Sequence, residues 1–298
     1  MTSSRPSRII SFGELLWDHF ETGRRPGGAP LNFTYHLTKL GQAPKLLSRI
    51  GADEPGKSLL DQLRVMGIDT GSIQVDPRFP TGTVQVVRSG PQEWHFEIVD
   101  QVAWDHIALD RDLIPGKGDW LVYGSLASRH PDSAYTLERM LDGEGMAICD
   151  LNLRTPHFSR DRIFLLLERA NLVKLNEGEL TLVSGWCGWS GGHDLLMERL
   201  CRRFGWIGCL VTRGQRGSFL WEAGSWYEQP AIPVEVVDTV GCGDAFLAGF
   251  LAGRIEGFSI PEQLVLASRL GALVAGCVGA CPDYDPSVLR GKPDFPFR

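Results

Sequence analysis

A glycine-rich turn carries the strongest chemical signal in the sequence. Residues 236–249 (VVDTVGCGDAFLAG) join a β-branched run to an apolar helical pattern through Gly241, Cys242, Gly243 and Asp244, which predicts a strand, a tight turn and a helix N-terminus. Backbone N–H groups at a helix N-terminus favour an anion, and glycines let it approach closely. Asp244 would lie beside that anion, where a carboxylate can take the proton of an attacking hydroxyl. From this string alone the alternative stays open that Asp244 only caps its helix and the glycines only turn the chain.

A second string fits the P-loop pattern GxxxxGK[ST]. Residues 51–58 (GADEPGKS) lie between a predicted strand and a predicted helix, which is the context in which such a loop binds phosphates. Asp53 and Glu54, however, place two carboxylates where the phosphates would lie, and like charges at that range repel each other. We therefore expect Lys57 to be a solvated helix lysine, with a P-loop nucleotide hydrolase as an alternative function.

Short apolar runs alternate with amphipathic stretches along the chain, which indicates βαβ units. The predicted strands are RIISF, KLLSRI, DWLVYG, MAICDL, NLVKL and WIGCLVT, and the predicted helices cover residues 30–40, 57–66, 131–141, 160–170, from about 177, 244–254 and 261–277. We therefore predict a Rossmann-like α/β fold with a mainly parallel sheet and helices on both of its faces.

Residues 81–99 break this rhythm. TGTVQVVR (81–88) and EWHFEIV (93–99) flank a turn of Ser, Gly, Pro and Gln, which predicts an antiparallel hairpin with no helix between its strands. We expect this hairpin and residues 18–26 to form a small β-sheet lid. Because no repeat or flexible linker marks a second unit, residues 1–298 are predicted to be a single domain.

Composition and charge narrow the class of protein. The chain has 298 residues, of which 43% are hydrophobic, and a formal net charge of −6, which disfavours nucleic acid or an anionic membrane as a partner. The sequence has no stretch long enough for a membrane span and no apolar core of a signal peptide. Its seven cysteines form no CxxC pair, so they predict buried thiols rather than disulfides or a zinc site. We therefore expect a cytoplasmic protein.

Two separated motifs resemble those of a known family. VDTVGCGDAF resembles the DTxGAGD motif of the ribokinase/PfkB family of sugar kinases, and GGAPLNFTYHLTKLG (27–41) resembles its N-terminal GG…N motif. GELLWD before the second motif, and SRIGADEPG, PTGTVQVV, AWDHI, YGSLASRHP, DLNLRTP, NLVKLNEGEL and VTRGQRG between the two, follow the order of that family, and together they are most similar to its bacterial fructokinase-like branch. The resemblance implies a ribokinase-like fold and ATP-dependent phosphorylation of a hydroxymethyl group on a small sugar, with fructose as first choice. Cys242 replaces the usual alanine, which leaves the backbone donors intact and slightly crowds the γ-phosphate.

The resemblance also implies a role for each candidate site residue. Asp244 would be the catalytic base beside an anion hole made by Gly241, Cys242 and Gly243. The sugar would contact Asp18, Gly27, Gly28 and Asn32, and Arg154 would reach a phosphate or sugar anion. ATP would lie against Asn176, Thr212, Gly214 and Gly217, with Mg²⁺ held by Glu179 through water and a monovalent cation such as K⁺ by Asp238.

Several alternatives stay open. Asp18 and Asn32 also fit a loop carboxylate and an ordinary helix residue, while Glu179 fits a first-turn helix carboxylate and Arg154 a structural ion pair. The substrate alternatives are 2-keto-3-deoxygluconate, ribose or a nucleoside, since lid residues such as Arg88 and Phe96 decide the pocket. A non-catalytic sugar-binding relative is a further alternative, although it would be expected to lack the base. The family's lids often pair, which makes a homodimer through the lid an expectation here.

Overall fold

Strands and helices alternate along most of the chain, as the apolar runs predict. The computed structural model describes residues 5–20, 23–88 and 94–290. The strands are β1 (Ile9–Phe12), β2 (Leu16–Phe20), β3 (Gly23–Gly27), β4 (Lys45–Gly51), β5 (Ile73–Asp76), β6 (Gly82–Arg88), β7 (Trp94–Ile98), β8 (Trp120–Tyr123), β9 (Met146–Asp150), β10 (Leu172–Asn176), β11 (Gly208–Thr212), β12 (Ser218–Glu222) and β13 (Ser225–Gln229). The helices are α1 (Ala29–Lys39), α2 (Glu54–Val65), α3 (Pro131–Leu141), α4 (Arg160–Glu168), α5 (Glu177–Trp186), α6 (His193–Phe204), α7 (Cys242–Ile255) and α8 (Ile260–Ala275).

The large sheet has nine strands in the order β13-β12-β11-β10-β9-β8-β1-β4-β5. From β11 to β5 every neighbouring pair is parallel, while at one edge β12 pairs antiparallel both to β11 and to β13. Parallel strands direct all their carboxyl ends to one edge, where the following loops meet. The predicted α/β fold with a mainly parallel sheet is confirmed.

Helices cover both faces of this sheet. Along β10, Leu172 and Val173 point to opposite faces and belong to different apolar clusters, because side chains alternate along a strand. The cluster around Val173 includes residues of α3, α4, α5 and α6, and the cluster around Leu172 includes residues of α1, α7 and α8. Burial on both faces explains why the central strands are continuous apolar runs. Among the described residues, no helix is long and apolar enough to cross a membrane.

A separate small sheet has the strand order β3-β2-β6-β7. Its β6–β7 pair is the antiparallel hairpin that the sequence predicts, and β2 joins it by pairing parallel to β6 and antiparallel to β3. The expected small β-sheet is present and separate from the large one, while its role as a lid stays a prediction. The turn residues 89–92, and the side chains of Arg88 and Phe96 that we expected to shape the pocket, lie outside the described residues.

Polar contacts anchor both ends of the β6–β7 hairpin. Before β6, Asp53 accepts hydrogen bonds from the Thr81 backbone N–H at 2.8 Å and the Thr81 hydroxyl at 2.5 Å. After β7, Arg129 donates to the Val99 carbonyl at 2.6 Å and forms a buried ion pair with Asp105. The guanidinium of Arg129 also lies 4.0 Å from the ring centroid of Trp104. Both ends of the lid hairpin are thus tied to the body of the molecule.

The P-loop pattern forms a capped helix start. Asp53 is the N-cap of α2, and its carboxylate accepts the Gly56 backbone N–H at 2.8 Å. The helix begins at Glu54, three residues earlier than predicted, and Lys57 is exposed. Since a carboxylate already takes a free N–H of this helix end, the turn is not arranged as a phosphate cradle.

The structure differs from the predicted elements at four places. Residues 236–240 form no strand, because the N–H groups of Val237 and Asp238 donate to the Ala275 carbonyl at the end of α8 instead of to a neighbouring strand. The β12–β13 hairpin was not predicted, and neither was helix α6. Helix α7 begins at Cys242, two residues earlier than predicted, which places Asp244 inside its first turn.

We predict that Asp53→Ala lowers the free energy of unfolding by about 1–3 kcal/mol, because it removes a helix cap and two hydrogen bonds to Thr81. Urea unfolding monitored by tryptophan fluorescence measures this change. Lys57→Ala is the control in the same turn and should leave the unfolding midpoint within error. Equal midpoints for Asp53→Ala and wild type would show that this anchor contributes nothing.

Candidate active site

The predicted site residues gather at the carboxyl edge of the large sheet. Asn176 ends β10, and its register partner Thr212 ends β11. Asp150 ends the neighbouring strand β9, and the N-terminus of α7 lies against the same edge through Gly243 and Lys174. Open α/β sheets bind their ligands at this edge.

Asp244 is buried and does not cap its helix. The N-cap of α7 is Gly241, whose φ of +77° suits glycine, and no side chain caps this end. The Asp244 carboxylate instead accepts a hydrogen bond from the amide nitrogen of Asn32, on α1, at 2.8 Å. At the other end of that amide, the Cys281 thiol donates to the Asn32 oxygen at 3.5 Å. Asn32 is therefore held between a thiol and the carboxylate. Because Gly241 is the N-cap and the Asp244 carboxylate bonds to Asn32, Asp244 does not cap its helix.

The glycines of the α7 turn are packed from two sides. A Cβ on Gly241 would lie 2.4 Å from the Cβ of Ala280, and one on Gly243 would lie 3.1 Å from the Lys174 ammonium nitrogen. Between them Cys242 is half-buried, and burial raises the pKa of its thiol to about 12, so the thiol stays protonated at neutral pH. The N–H groups of the first helical turn have no intrahelical acceptor. The Cys242 N–H donates to the Thr239 carbonyl at 3.4 Å, which leaves the other N–H groups of this turn for an anion, and a larger residue would clash with Ala280 at Gly241 and press on the end of the Lys174 side chain at Gly243.

Asp18 enters the site from the small sheet. It lies on β2 opposite Arg25 in the middle of β3, and a Cβ on Gly27 at the end of β3 would be 2.0 Å from the Asp18 carboxylate. Gly28 follows with a φ of +112° as the N-cap of α1, and a Cβ there would be 2.4 Å from the carbonyl oxygen of Glu14. Both glycines are therefore required by close approach, as the GG motif suggests. The buried Glu14 accepts the Ala29 N–H at 3.1 Å and fixes this junction.

Three carboxyl groups share the space between the two sheets. Burial raises the pKa of Glu14, of Asp18 and of Asp244 to about 7 in each case. The positive charge of Arg154, in the loop after β9, opposes this rise in all three pKa values. Arg154 therefore faces the same space as the carboxyl groups, where it can meet an anionic ligand or neutralise them.

The nucleotide candidates divide into two kinds. Gly214, with a φ of +56°, is exposed and has open space where a side chain would be. Gly217 is buried, and its Cβ would lie 2.0 Å from the Gln229 carbonyl, so it is needed for packing against the end of β13. Thr212 lies between β11 and this turn, with its hydroxyl 3.5 Å from the Leu175 carbonyl. Of these positions, Thr212 and Gly214 are open to a ligand.

Glu179 and Asn176 form a capping box at the start of α5. The Asn176 side chain accepts the Glu179 N–H at 2.9 Å, and Glu179 accepts the Asn176 N–H at 2.8 Å. The other carboxylate oxygen of Glu179 accepts the Leu153 N–H at 2.7 Å, beside Arg154. This is the structural role left open for Glu179. Because each oxygen keeps a second lone pair, the carboxylate can also accept a hydrogen bond from metal-bound water.

Asp238 joins two loops behind the α7 turn. Its carboxylate oxygens accept the N–H groups of Val240 and Gly279, each at 3.0 Å. Its backbone carbonyl lies 3.7 Å from the Cys242 sulfur. The carboxylate thus fixes the segment before the α7 turn and the loop after α8 that packs against it. Its predicted role as a monovalent-cation ligand stays a prediction.

The sequence interpretation missed a buried ion pair in this site. The Lys174 ammonium lies 2.8 Å from both carboxylate oxygens of Asp150, and both side chains are buried. One signal in the sequence indicated it: a lysine inside the apolar run NLVKL, on a strand predicted to be buried. A buried lysine is rare without a partner of opposite charge.

A known protein family matches almost the whole chain. The family model described as pfkB family carbohydrate kinase matches residues 2–286. The chain belongs to this family. A fructokinase of Klebsiella pneumoniae is 33% identical to the kinase over 274 residues, which cover 86% of this chain and 87% of that relative.

Further relatives support the fold of the kinase. An aminoimidazole riboside kinase of Salmonella typhimurium is 26% identical over 273 residues, which cover 86% of this chain and 83% of the relative. The structure of a fructokinase from Vibrio cholerae O395 superposes with a TM-score of 0.81 at 23% identity, covering 93% of this kinase and 96% of that chain. The expected ribokinase-like fold and carbohydrate kinase activity are therefore confirmed, while the roles of individual residues stay predictions.

We predict that Asp244→Asn lowers kcat by about 10²–10⁴-fold, because the amide is similar in shape and cannot accept the hydroxyl proton. Initial rates with the best sugar, and ATP affinity from calorimetry, measure the two effects separately. ATP affinity and the unfolding midpoint should stay close to wild type. Turnover within about threefold of wild type would remove Asp244 from the mechanism.

Asp18→Ala should raise the KM for the sugar about tenfold or more while changing the KM for ATP little, since a sugar hydroxyl left unpaired in a buried site costs about 1–3 kcal/mol. Steady-state kinetics with each substrate varied in turn test this. His19→Ala is the matched control, because His19 is the next residue on β2 and faces the other side of the small sheet. An equal loss for sugar and ATP, or no loss, would contradict the sugar-binding role.

Proposed function

We propose that this kinase transfers the γ-phosphoryl group of ATP to fructose and forms fructose 6-phosphate. The observation that carries the proposal is the buried Asp244 carboxylate, positioned by Asn32 in the first turn of α7. The fructokinases of Klebsiella pneumoniae and Escherichia coli, at 33% and 30% identity, support fructose as the acceptor. The Vibrio cholerae fructokinase structure contains fructose, ADP and a calcium ion.

In this proposal the two sheets divide the work on the acceptor sugar. Asp18 on the small sheet and Asn32 on α1 hold sugar hydroxyls, and the lid keeps water from the reaction. Asp244 takes the proton of the hydroxymethyl group as its oxygen bonds to the γ-phosphorus. The bond from that phosphorus to the bridging oxygen breaks, and ADP leaves with the electron pair. Backbone N–H groups from Gly241 to Gly243 stabilise the charge of the transferred group.

ATP and cations complete the proposal. Thr212, Gly214 and Asn176 would contact the nucleotide, and Arg154 would reach its phosphates. A divalent cation, which we infer to be Mg²⁺, would neutralise charge on the ATP oxygens, and Glu179 would hold it through a water molecule. Asp238 would hold K⁺, which accords with a Vibrio cholerae fructokinase structure in a potassium-bound form. A homodimer through the small sheet and a location in the cytoplasm stay predictions.

The alternative acceptors differ in how much supports them. The aminoimidazole riboside kinase of Salmonella typhimurium, at 26% identity, favours a nucleoside-like acceptor as second candidate. Ribose and 2-keto-3-deoxygluconate have only the shared family behind them. A P-loop hydrolase is opposed by the Asp53 cap on α2, and a non-catalytic relative by the presence of Asp244.

A substrate panel tests the proposal. We expect kcat/KM for fructose to exceed that for ribose, glucose, 2-keto-3-deoxygluconate, adenosine and aminoimidazole riboside by at least about tenfold, a preference that pocket hydrogen bonds can supply. ADP release reports the rate, and ³¹P NMR of the product identifies the 6-phosphate. Asp244→Asn gives the background from contaminating ATPase. A preference for either nucleoside would replace fructose by the second candidate.

A further inference from the structure

The Lys174–Asp150 ion pair connects two parallel strands at the edge where the active site lies. The two residues are register partners on β10 and β9, so their side chains leave the sheet on the same face. Lys174 is only 7% exposed and Asp150 7%, and the ammonium contacts both oxygens of the carboxylate at 2.8 Å. Because the side chains face α7, the charges are directed toward the anion-binding turn instead of toward solvent.

The ammonium lies directly against that turn. A Cβ on Gly243 would be 3.1 Å from the Lys174 nitrogen, so the positive charge is next to the residue that precedes Asp244. A charge buried beside a backbone of free N–H groups acts with little screening by water. The pair is therefore placed where it can influence both the carboxylate and a bound anion.

Charged and titratable groups face Asp244 from several elements. The groups that interact with it are Asp150 on β9, Lys174 on β10, Asp18 on β2, Arg154 in the loop after β9, Cys242 beside it, Cys281 after α8, and the neutral amide of Asn32 on α1. Among the opposing charges, Asp150 raises the pKa of Asp244 and Lys174 lowers it. Burial lowers the pKa of Lys174, but its acidic neighbours outweigh burial and the pKa is raised overall, so it remains charged.

We propose that Lys174 and Asp150 are positioning residues that act through Asp244: the ammonium, held in place by Asp150, keeps the Asp244 carboxylate ionised for proton transfer. This inference rests on the proposed role of Asp244 as the base, and it does not depend on which sugar is phosphorylated. An ion pair that only stabilised the fold would change stability when altered and would leave the ionisation of Asp244 unchanged.

The two halves of the pair act on Asp244 with opposite sign. Asp244 works as a base only when ionised, so kcat is lost as the pH falls through its pKa, which is about 7. Asp150→Asn removes a negative neighbour and frees the ammonium, which lowers the pKa of Asp244. Lys174→Met removes the positive neighbour and leaves Asp150 unpaired, which raises it. The double variant D150N/K174M removes both effects together.

The experiment measures kcat between pH 5.5 and 9 with saturating ATP and sugar. With both substrates saturating, kcat no longer contains the effect of pH on sugar binding, to which Asp18 contributes. The acid limb of kcat should move down by about one pH unit for Asp150→Asn, up by about one unit for Lys174→Met, and return close to wild type in the double variant. Movement of both single variants in the same direction, or no movement, would overturn the proposal.

Two further variants make the result decisive. Glu222→Gln breaks a different ion pair of α7, with Arg254 at 2.5 Å, about 15 Å along the helix from Asp244, and it should not move the acid limb. Where Lys174→Met does not fold, Asp150→Asn and the double variant suffice, because equal limbs in these two would contradict a role for Lys174. Asp244→Asn checks the base itself, so undiminished turnover in that variant identifies a failure of the proposed function rather than of this inference.

Discussion

A charge that is removed from water needs a compensating partner close by, and this constraint organises the active site of the kinase. Three carboxylates are buried around the carboxyl edge of the large sheet, and each has a different kind of partner. Asp150 has the Lys174 ammonium, Glu179 has two backbone N–H groups, and Asp244 has the Asn32 amide. Burial and then the negative charge of Asp150 raise the pKa of Asp244 to about 7, against the lowering effects of Lys174 and Asn32, so Asp244 binds a proton near neutral pH.

The topology of the chain brings residues of the small sheet close to residues that pack on the large sheet. The chain leaves the large sheet after β1 and enters the small sheet at β2, with Gly13 at a φ of +149° between them. Asp18 thus belongs to one sheet while Asp244 belongs to a helix packed on the other. In the proposed function a sugar bound to both groups would lie at the junction, so that a motion of the small sheet would change the distance between Asp18 and Asp244.

The sequence predicts the central fold well because the middle strands are buried on both faces and read as apolar runs. It fails at residues 236–240, whose β-branched composition predicts a strand although the N–H groups of Val237 and Asp238 bond to the end of a helix. It also misses the β12–β13 hairpin, because its turn of Ala223 and Gly224 lacks the asparagine that usually marks such turns. Motif resemblance supplied Asp18, Asn32 and Asp244 as candidates. Spacing does not show that Asn32 donates to Asp244 across 212 positions, and it does not show that the lysine of an apolar run faces Gly243.

The two anchors of the lid hairpin bear on the thermodynamics of sugar binding. A segment that folds only when its ligand arrives loses conformational entropy at that moment, at a cost of about 2–5 kcal/mol. Here Asp53 with Thr81 and Arg129 with Val99 are contacts within the chain itself, and they fix both ends of the hairpin. The ends of the hairpin are therefore ordered when the protein folds. Sugar binding then does not have to supply the free energy for ordering them, and the affinity for the sugar is higher as a result.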